Sequence, residues 1–202
     1  MIKFAIFDVG QTLYPFSLRP LNDWLEKNTT EHDFFHNKHS AFDYDYNPYM
    51  KGEITNEEFA KELCVFCHIP YNKTVLPTIN QKLHAGCGKA FDETIIAIRK
   101  LKKSGIKIGI LSNALPLLHD TKINLVPQKY AFTSYKLGLL KPDTEIYQTL
   151  ADKLQAPYEQ ILFIDDKEKN ITAARKLGIN GIIFTQKTIL EEIKPYLPKD
   201  NS

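Results

Sequence analysis

Four polar clusters in this chain stand behind short apolar runs, and together they hold a carboxylate, candidate anion donors, an ammonium and paired acids. The first follows residues 3–7 and brings Asp8 and Gly10. A carboxylate delivered to a loop in this way is a candidate nucleophile or metal ligand, and it is equally suited to capping the turn. The second, Ser112-Asn113, follows residues 106–111. Its hydroxyl and the backbone N–H of Asn113 suit an oxygen of a bound anion, and both residue types also suit a helix N-cap. The third is Lys141-Pro142-Asp143. Its lysine is either an ordinary solvated side chain or a fixed positive charge beside the carboxylates. The fourth is Asp165-Asp166, at the end of the run 160–164. Two adjacent carboxylates facing Asp8 repel one another unless a cation lies between them, and hard oxygen ligands of this kind suit Mg²⁺.

The elements that must position these groups are strands alternating with helices. The runs 3–7, 106–111, 131–134, 160–164 and 180–185 are short and rich in β-formers, as fully buried strands are. Between them lie amphipathic stretches. Phe91, Ile95, Ile98 and Leu101 form one stripe that Gly105 ends. Ile146, Leu150 and Leu154 form a second, with Pro142 at its start. Residues 167–177 form a third, ended by Gly178, and residues 188–197 make a C-terminal helix. The pattern predicts an α/β fold, a Rossmann-like parallel sheet flanked by helices. In such a sheet ligands bind at the carboxyl ends of the strands, so all four clusters come to one edge.

Residues 14–90 break this alternation. They carry no clear β run and read as a small helical cap inserted after the first strand, leaving 1–13 and 91–202 as the core domain. Thr55 and Glu58 form a capping box, followed by Phe59, Leu63 and Phe66 at helical spacing. Helices are also expected from about residue 20, over 30–42 and over 73–84, with Pro77 kinking the last or lying in its first turn. Cys64, Cys67 and His68 have the spacing of covalent haem attachment, but the two cysteines share a helix face with Leu63 and read as small core residues. With His84 and Cys87 they match no familiar zinc spacing, and no structural zinc is expected. His32, His36 and His39 recur at helical spacing without a carboxylate placed for a zinc helix. Trp24, Tyr44 and Tyr46 either stack on a ligand or build the cap's own core.

The bulk composition narrows the class. With 202 residues, 43% hydrophobic and 25% charged, the chain is long enough for one core and a small second lobe. A net charge of +2 without a basic stripe argues against nucleic acid and membrane surfaces as partners. The start shows no charged n-region, long apolar stretch or cleavage site, and three cysteines fit a reducing compartment, so the expected location is cytoplasmic.

The run Asp8-Val-Gly-Gln-Thr-Leu13, then Leu111-Ser-Asn113, then Lys141-Pro-Asp143, then Phe163-Ile-Asp-Asp166 with Asn170, resembles the four ordered motifs of the haloacid dehalogenase superfamily. The resemblance covers essentially the whole chain. Among the branches it is most similar to the small helical-cap sugar-phosphate phosphatases, such as the α-glucose-1-phosphatases and the phosphatase domain of soluble epoxide hydrolase. It implies hydrolysis of a small phosphorylated metabolite through an aspartyl phosphate on Asp8. It also implies Mg²⁺ held by Asp8, the Gly10 carbonyl and Asp166, with Asp165 acting through a bound water. Lys141 would hold Asp8 and neutralise charge, and Ser112 and Asn113 would bind the transferring oxygens. The expected assembly is a monomer or a homodimer.

One position departs from the family pattern. Phosphatases of this superfamily usually carry a second aspartate two residues after the nucleophile, as general acid and base, and here that residue is Gly10. A missing acid costs about 10²- to 10⁴-fold. Asp43 or Asp45 from the cap could replace it. Two alternatives follow: a catalytically weak phosphate-ligand-binding protein, or a 2-haloacid dehalogenase, against which the paired Asp165 and Asp166 count because dehalogenases need no metal.

Overall fold

The structure is a computed structural model that describes residues 1–36, 40–118 and 126–197. Five strands form one sheet: β1 (Phe4–Phe7), β2 (Lys107–Ser112), β3 (Ala131–Thr133), β4 (Ile161–Asp165) and β5 (Asn180–Ile183). All pairs are parallel, in the order β3-β2-β1-β4-β5. The chain steps outward from β1 through β2 to β3, then crosses to the other side of β1 for β4 and β5. This reversal opens a crevice at the carboxyl end of β1, where loops on either side diverge.

The apolar runs are continuous because both faces of the sheet are covered. On one face Ala5, Phe7, Ile108, Ile110, Leu162 and Ile164 pack with Ala97, Ile98 and Leu101. On the other, Phe4, Ile6, Leu111 and Phe163 pack with Ile146, Leu150, Ile171 and Ala174. Period-two alternation along each strand sends neighbours to opposite clusters. Gly109 in β2 is required by packing: a Cβ there would lie 2.7 Å from the Tyr130 carbonyl oxygen and 2.8 Å from Ile6 Cδ1.

The helices occur in the order α1 (Arg19–Asn28), α2 (His32–His36), α3 (Asn47–Met50), α4 (Asn56–Phe66), α5 (Val75–Ala85), α6 (Asp92–Lys103), α7 (Ser134–Leu137), α8 (Thr144–Leu154), α9 (Glu168–Lys176) and α10 (Ile189–Glu192). Helices α6 and α10 cover the first face, and α8 and α9 the second. The Thr55–Glu58 capping box forms as its spacing predicts: Thr55 Oγ1 accepts from the Glu58 N–H at 3.2 Å, and Glu58 Oε2 accepts from the Thr55 N–H at 2.7 Å. Pro77 lies in the first turn of α5. Three expectations are corrected. The stretch 30–42 is not one helix, because Ser40 starts a separate 3₁₀ turn, Ala41–Asp43. The C-terminal segment divides into α10 and a 3₁₀ turn, Lys194–Tyr196, because Pro195 has no N–H to continue an α-helix. Pro142 does not start α8: Asp143 is the N-cap, and the Lys141–Pro142 peptide is cis.

Helices α1, α4 and α5 bury a third apolar cluster, in which Leu21, Leu25, Phe59, Leu63, Ile79 and Leu83 are fully enclosed. Leu115, from the loop after β2, completes it, and the Leu117 N–H donates to Tyr49 Oη at 3.2 Å. The helical lobe is thus fastened to the loop that leaves β2. No helix among the described residues is long and apolar enough to cross a membrane.

Candidate active site

Strands β1, β2 and β4 lie side by side, so the residues that end them converge. The Lys141 ammonium is the hub. It donates to Asp8 Oδ1 at 2.6 Å, to Asp165 Oδ2 at 2.7 Å and to the Leu111 carbonyl at 2.8 Å. These acceptors come from three different strands. Lys141 is 4% exposed, and a buried ammonium is tolerated only when its donors are all matched in this way. Burial pulls the lysine pKa down, but the Asp8 and Asp165 carboxylates outweigh it and hold the ammonium charged.

Asp8 answers in the opposite sense. Burial pushes its carboxyl up to about 6, opposed by Lys141 and reinforced by Asp165. Asp165 is fully buried and all its accepting capacity is directed inward. The Lys167 N–H donates to Oδ1 at 2.8 Å, and Asn170 Nδ2 donates to both oxygens at 3.0 and 2.9 Å. Asp166 differs: its Oδ1 is buried without a partner among the described residues, and so is Asn170 Oδ1. Burial, then the neighbouring Asp165, raises the Asp166 pKa. Asp8, Asp165 and Asp166 each offer an oxygen within 4.8 Å of the others. Three carboxylates converge on one bonded ammonium, with Lys167 also acting on Asp166, and two acceptor oxygens lack a donor among the described residues. The donor set therefore suits a hard divalent cation.

Ser112 and Asn113 line the same cavity as Asp8 and Lys141. The Asn113 side chain is committed elsewhere: its Nδ2 donates to the Lys141 carbonyl at 2.8 Å and its Oδ1 accepts the Lys141 N–H at 2.9 Å. This two-way clamp fixes the backbone that carries the hub lysine. The next amide, Ala114 N–H, donates to the buried Ser134 Oγ at 3.0 Å. Ser134 had no signal in the sequence beyond closing a strand, yet it ties the end of β3 to the loop after β2.

The turn after β1 is tight. The Leu13 and Tyr14 N–H groups both donate to the Val9 carbonyl, and Gln11 takes a left-handed φ of 62°. Gly10 lines the cavity, and a Cβ built on it meets nothing within 4 Å. The cap carboxylates do not fill that space. Asp43 Oδ2 accepts from the Ser40 N–H at 2.8 Å, Asp45 Oδ1 accepts from the Asn47 N–H at 3.0 Å, and neither lines the cavity. Both acids are spent on starting short helical turns.

The cavity above Asp8 has a volume of about 470 Å³. Its far wall comes from the helical lobe, including Phe16, Leu18, Phe42, Tyr46 and Met50. Tyr44 and Tyr46 pack edge to face, and each also meets Phe59, so both belong largely to the lobe's aromatic core. Cys64 and Cys67 are buried in the same lobe, where burial pushes their thiols up to about 11 and about 12. Trp24 borders a separate surface hollow. His39 and the side chains of His32 and His36 lie outside the described residues.

The family model for haloacid dehalogenase-like hydrolases matches residues 2–178. The chain is 26% identical over 156 residues to mouse acyl-CoA dehydrogenase family member 10, covering 74% of this chain and 14% of that protein. It is 22% identical over 196 residues to the sesquiterpene phosphatase astK of Aspergillus oryzae, covering 91% and 90%. A third relative, the (S)-2-haloacid dehalogenase H-109 of Pseudomonas putida, is 24% identical over 135 residues, covering 64% and 59%. Among solved structures, the HAD family enzyme BT-2542 of Bacteroides thetaiotaomicron, in complex with magnesium and inorganic phosphate, superposes with a TM-score of 0.74 at 19% identity, covering 92% and 96%.

Proposed function

The chain belongs to the haloacid dehalogenase-like hydrolases, and from that premise we propose that it is a magnesium-dependent phosphomonoester hydrolase of small phosphorylated metabolites. The observation that carries this reading is the combination of a lysine-clamped nucleophile with orphaned acceptor oxygens on Asp166 and Asn170. The Aspergillus phosphatase supports it at the level of reaction type, and the magnesium and phosphate of the Bacteroides enzyme support the ligand classes.

Asp8, Asp166 and the Gly10 carbonyl would hold the metal, which when bound supplies two positive charges against the repulsion between a carboxylate and a phosphate dianion. That repulsion is about 4 kcal/mol for two unit charges near contact at an effective dielectric of about 20. Asp165, with every oxygen already bonded, positions Lys141 and leaves ligation to Asp166. Lys141 keeps Asp8 ionised and aimed, while the Ser112 hydroxyl and the Asn113 N–H hold the non-bridging oxygens. Asp8 attacks phosphorus, forming one P–O bond as the ester P–O bond breaks, and the electron pair leaves with the alkoxide, which takes a proton from water. The hydroxide left by that proton transfer then adds to phosphorus, the bond to Asp8 breaks, and inorganic phosphate leaves with the carboxylate restored.

Phosphate release from p-nitrophenyl phosphate tests the proposal, because an aryl leaving group scarcely needs an acid. Release is expected with Mg²⁺ and is expected to stop on chelation. Turnover of a 2-haloacid that persists under chelation would instead establish the dehalogenase reading, which the Pseudomonas relative also favours. No phosphate release and no dehalogenation, with Mg²⁺-dependent phosphate binding retained, would leave a binding protein.

Gly10→Asp tests the missing acid. A Cβ built at Gly10 meets nothing within 4 Å. Turnover of ethyl phosphate, whose alkoxide leaves poorly, is expected to rise about 10²-fold, with a much smaller gain for p-nitrophenyl phosphate. Equal effects on both esters would show that proton donation at this position does not limit the wild-type enzyme.

A further inference from the structure

We infer that the leaving group accepted by this site is apolar, so that the preferred substrates are phosphomonoesters of aliphatic or aromatic alcohols and not of sugars; this rests on the phosphomonoester reading above. The cavity has two chemically distinct ends. At the strand end stand Asp8, Ser112, Asn113 and Lys141, which suit a phosphoryl group. The rest of the lining, where the remainder of a substrate must lie, includes the apolar side chains Phe16, Leu18, Phe42, Met50 and Leu115 and the ring of Tyr46.

A sugar would need hydroxyl partners on that wall, because a buried polar group without a hydrogen bond is costly. Neutral polar groups beyond the strand end are few: Gln11 and Ser17 are partly committed to backbone, and Tyr46 adds one buried hydroxyl without a partner among the described residues. Lys167 and Lys169, which also line the cavity, suit the phosphoryl group. Gln11 Nε2 donates to the Phe16 carbonyl at 2.8 Å, and Ser17 Oγ accepts from the Arg19 N–H at 3.1 Å. Phe42 is 58% exposed and lines this cavity, so a bound alkyl or aryl group could pack against it. A second chamber of about 110 Å³ continues the apolar lining past Gly10 and Phe16, between Val9, Pro15 and Leu118. Gly10 lines both chambers, and a Cβ built on it would meet nothing within 4 Å. The cavity volume lies within the range typical of small-ligand sites.

The test is a chain-length series in the presence of Mg²⁺: ethyl, butyl, hexyl and octyl phosphate against glucose 1-phosphate and glucose 6-phosphate. Each added methylene that enters the wall is expected to raise kcat/KM about three- to fourfold until the cavity is filled. Octyl phosphate should then exceed both sugar phosphates by more than tenfold. Phe42→Ser is expected to lower kcat/KM more for octyl than for ethyl phosphate. Binding of alkylphosphonates of the same lengths, measured by calorimetry with Mg²⁺, reads the wall without turnover. Affinity that rises with chain length while no ester is hydrolysed would uphold the apolar site and sink the phosphatase reading. Values of kcat/KM and affinity that stay flat or fall with length, or a preference for either sugar phosphate, would overturn the inference and leave phosphatase activity standing.

Discussion

Asp8→Asn is expected to lower phosphate release by about 10⁴-fold or more while leaving the fold intact, because it removes the oxygen proposed to attack phosphorus and changes almost nothing in shape. Its effect on stability should have the opposite sign. The folded Asp8 carboxyl titrates at about 6, against an ordinary value of 3.8. A raised folded pKa means that the proton is favoured in the native state, so ionising Asp8 costs stability. That cost is absent below the ordinary value, grows as the pH rises through about 6, and reaches about 3 kcal/mol above it. Asparagine carries no such charge. Without metal at pH 7.5 the variant should therefore be more stable than the wild type by about 1–3 kcal/mol in denaturant unfolding. The advantage should vanish as the pH is lowered towards 4, and adding Mg²⁺ should narrow it by stabilising the wild type. A variant that is both inactive and less stable than the wild type would mean that Asp8 serves the fold, as a turn cap.

Lys141→Met is expected to be the most damaging single substitution at the site. It deletes a buried ammonium whose three acceptors, Asp8 Oδ1, Asp165 Oδ2 and the Leu111 carbonyl, have come from separate strands. Removing one partner of a buried ion pair costs about 3–5 kcal/mol, because the remaining charge stays buried and uncompensated. Here two carboxylates would be left against each other, so the site would lose both the positioning of Asp8 and the charge that favours its ionised form. Turnover should fall by about 10³-fold or more. The stability deficit should shrink as the pH falls towards about 6 and change little below it, because an Asp8 freed from the lysine is protonated at a higher pH than in the wild type. The double variant Asp8→Asn with Lys141→Met should recover much of the lost stability, the signature of coupling between neighbours. Strictly additive losses would place the role of Lys141 in packing against Phe163, whose ring centroid lies 5.3 Å from the ammonium.

Much of this arrangement was legible because its determinants are local. The runs that became β1, β2 and β4 are continuous and apolar, as strands covered on both faces must be. The Thr55–Glu58 box declared the start of α4 through a three-residue spacing that any helix imposes. Even the departure at Gly10 could be read, since it is a matter of residue type at one position after a strand. Where local signals compete, the sequence is less exact: Pro195 divides a helix that the apolar pattern extends, and Asp43 and Asp45, which by type could replace the missing acid, each bond a backbone N–H of their own short turn.

The sequence by itself thus determined the kinds of element, their order and the chemical groups placed at strand ends, because these follow from periodicity and residue type within a few turns of chain. Only the tertiary structure decided how those groups are used. The lysine that joins Asp8 to Asp165 spans 133 and 24 residues of sequence, and no spacing rule links such positions. Asn113 turned out to clamp the Lys141 backbone, Asp165 to be saturated while Asp166 is not, and Phe16, Leu18, Phe42 and Met50 to line the cavity above Asp8. The physical reason is that a polar side chain's role depends on which donors and acceptors are within about 3 Å of it. That is set by strand order and the docking of the helical lobe, which the whole chain settles together.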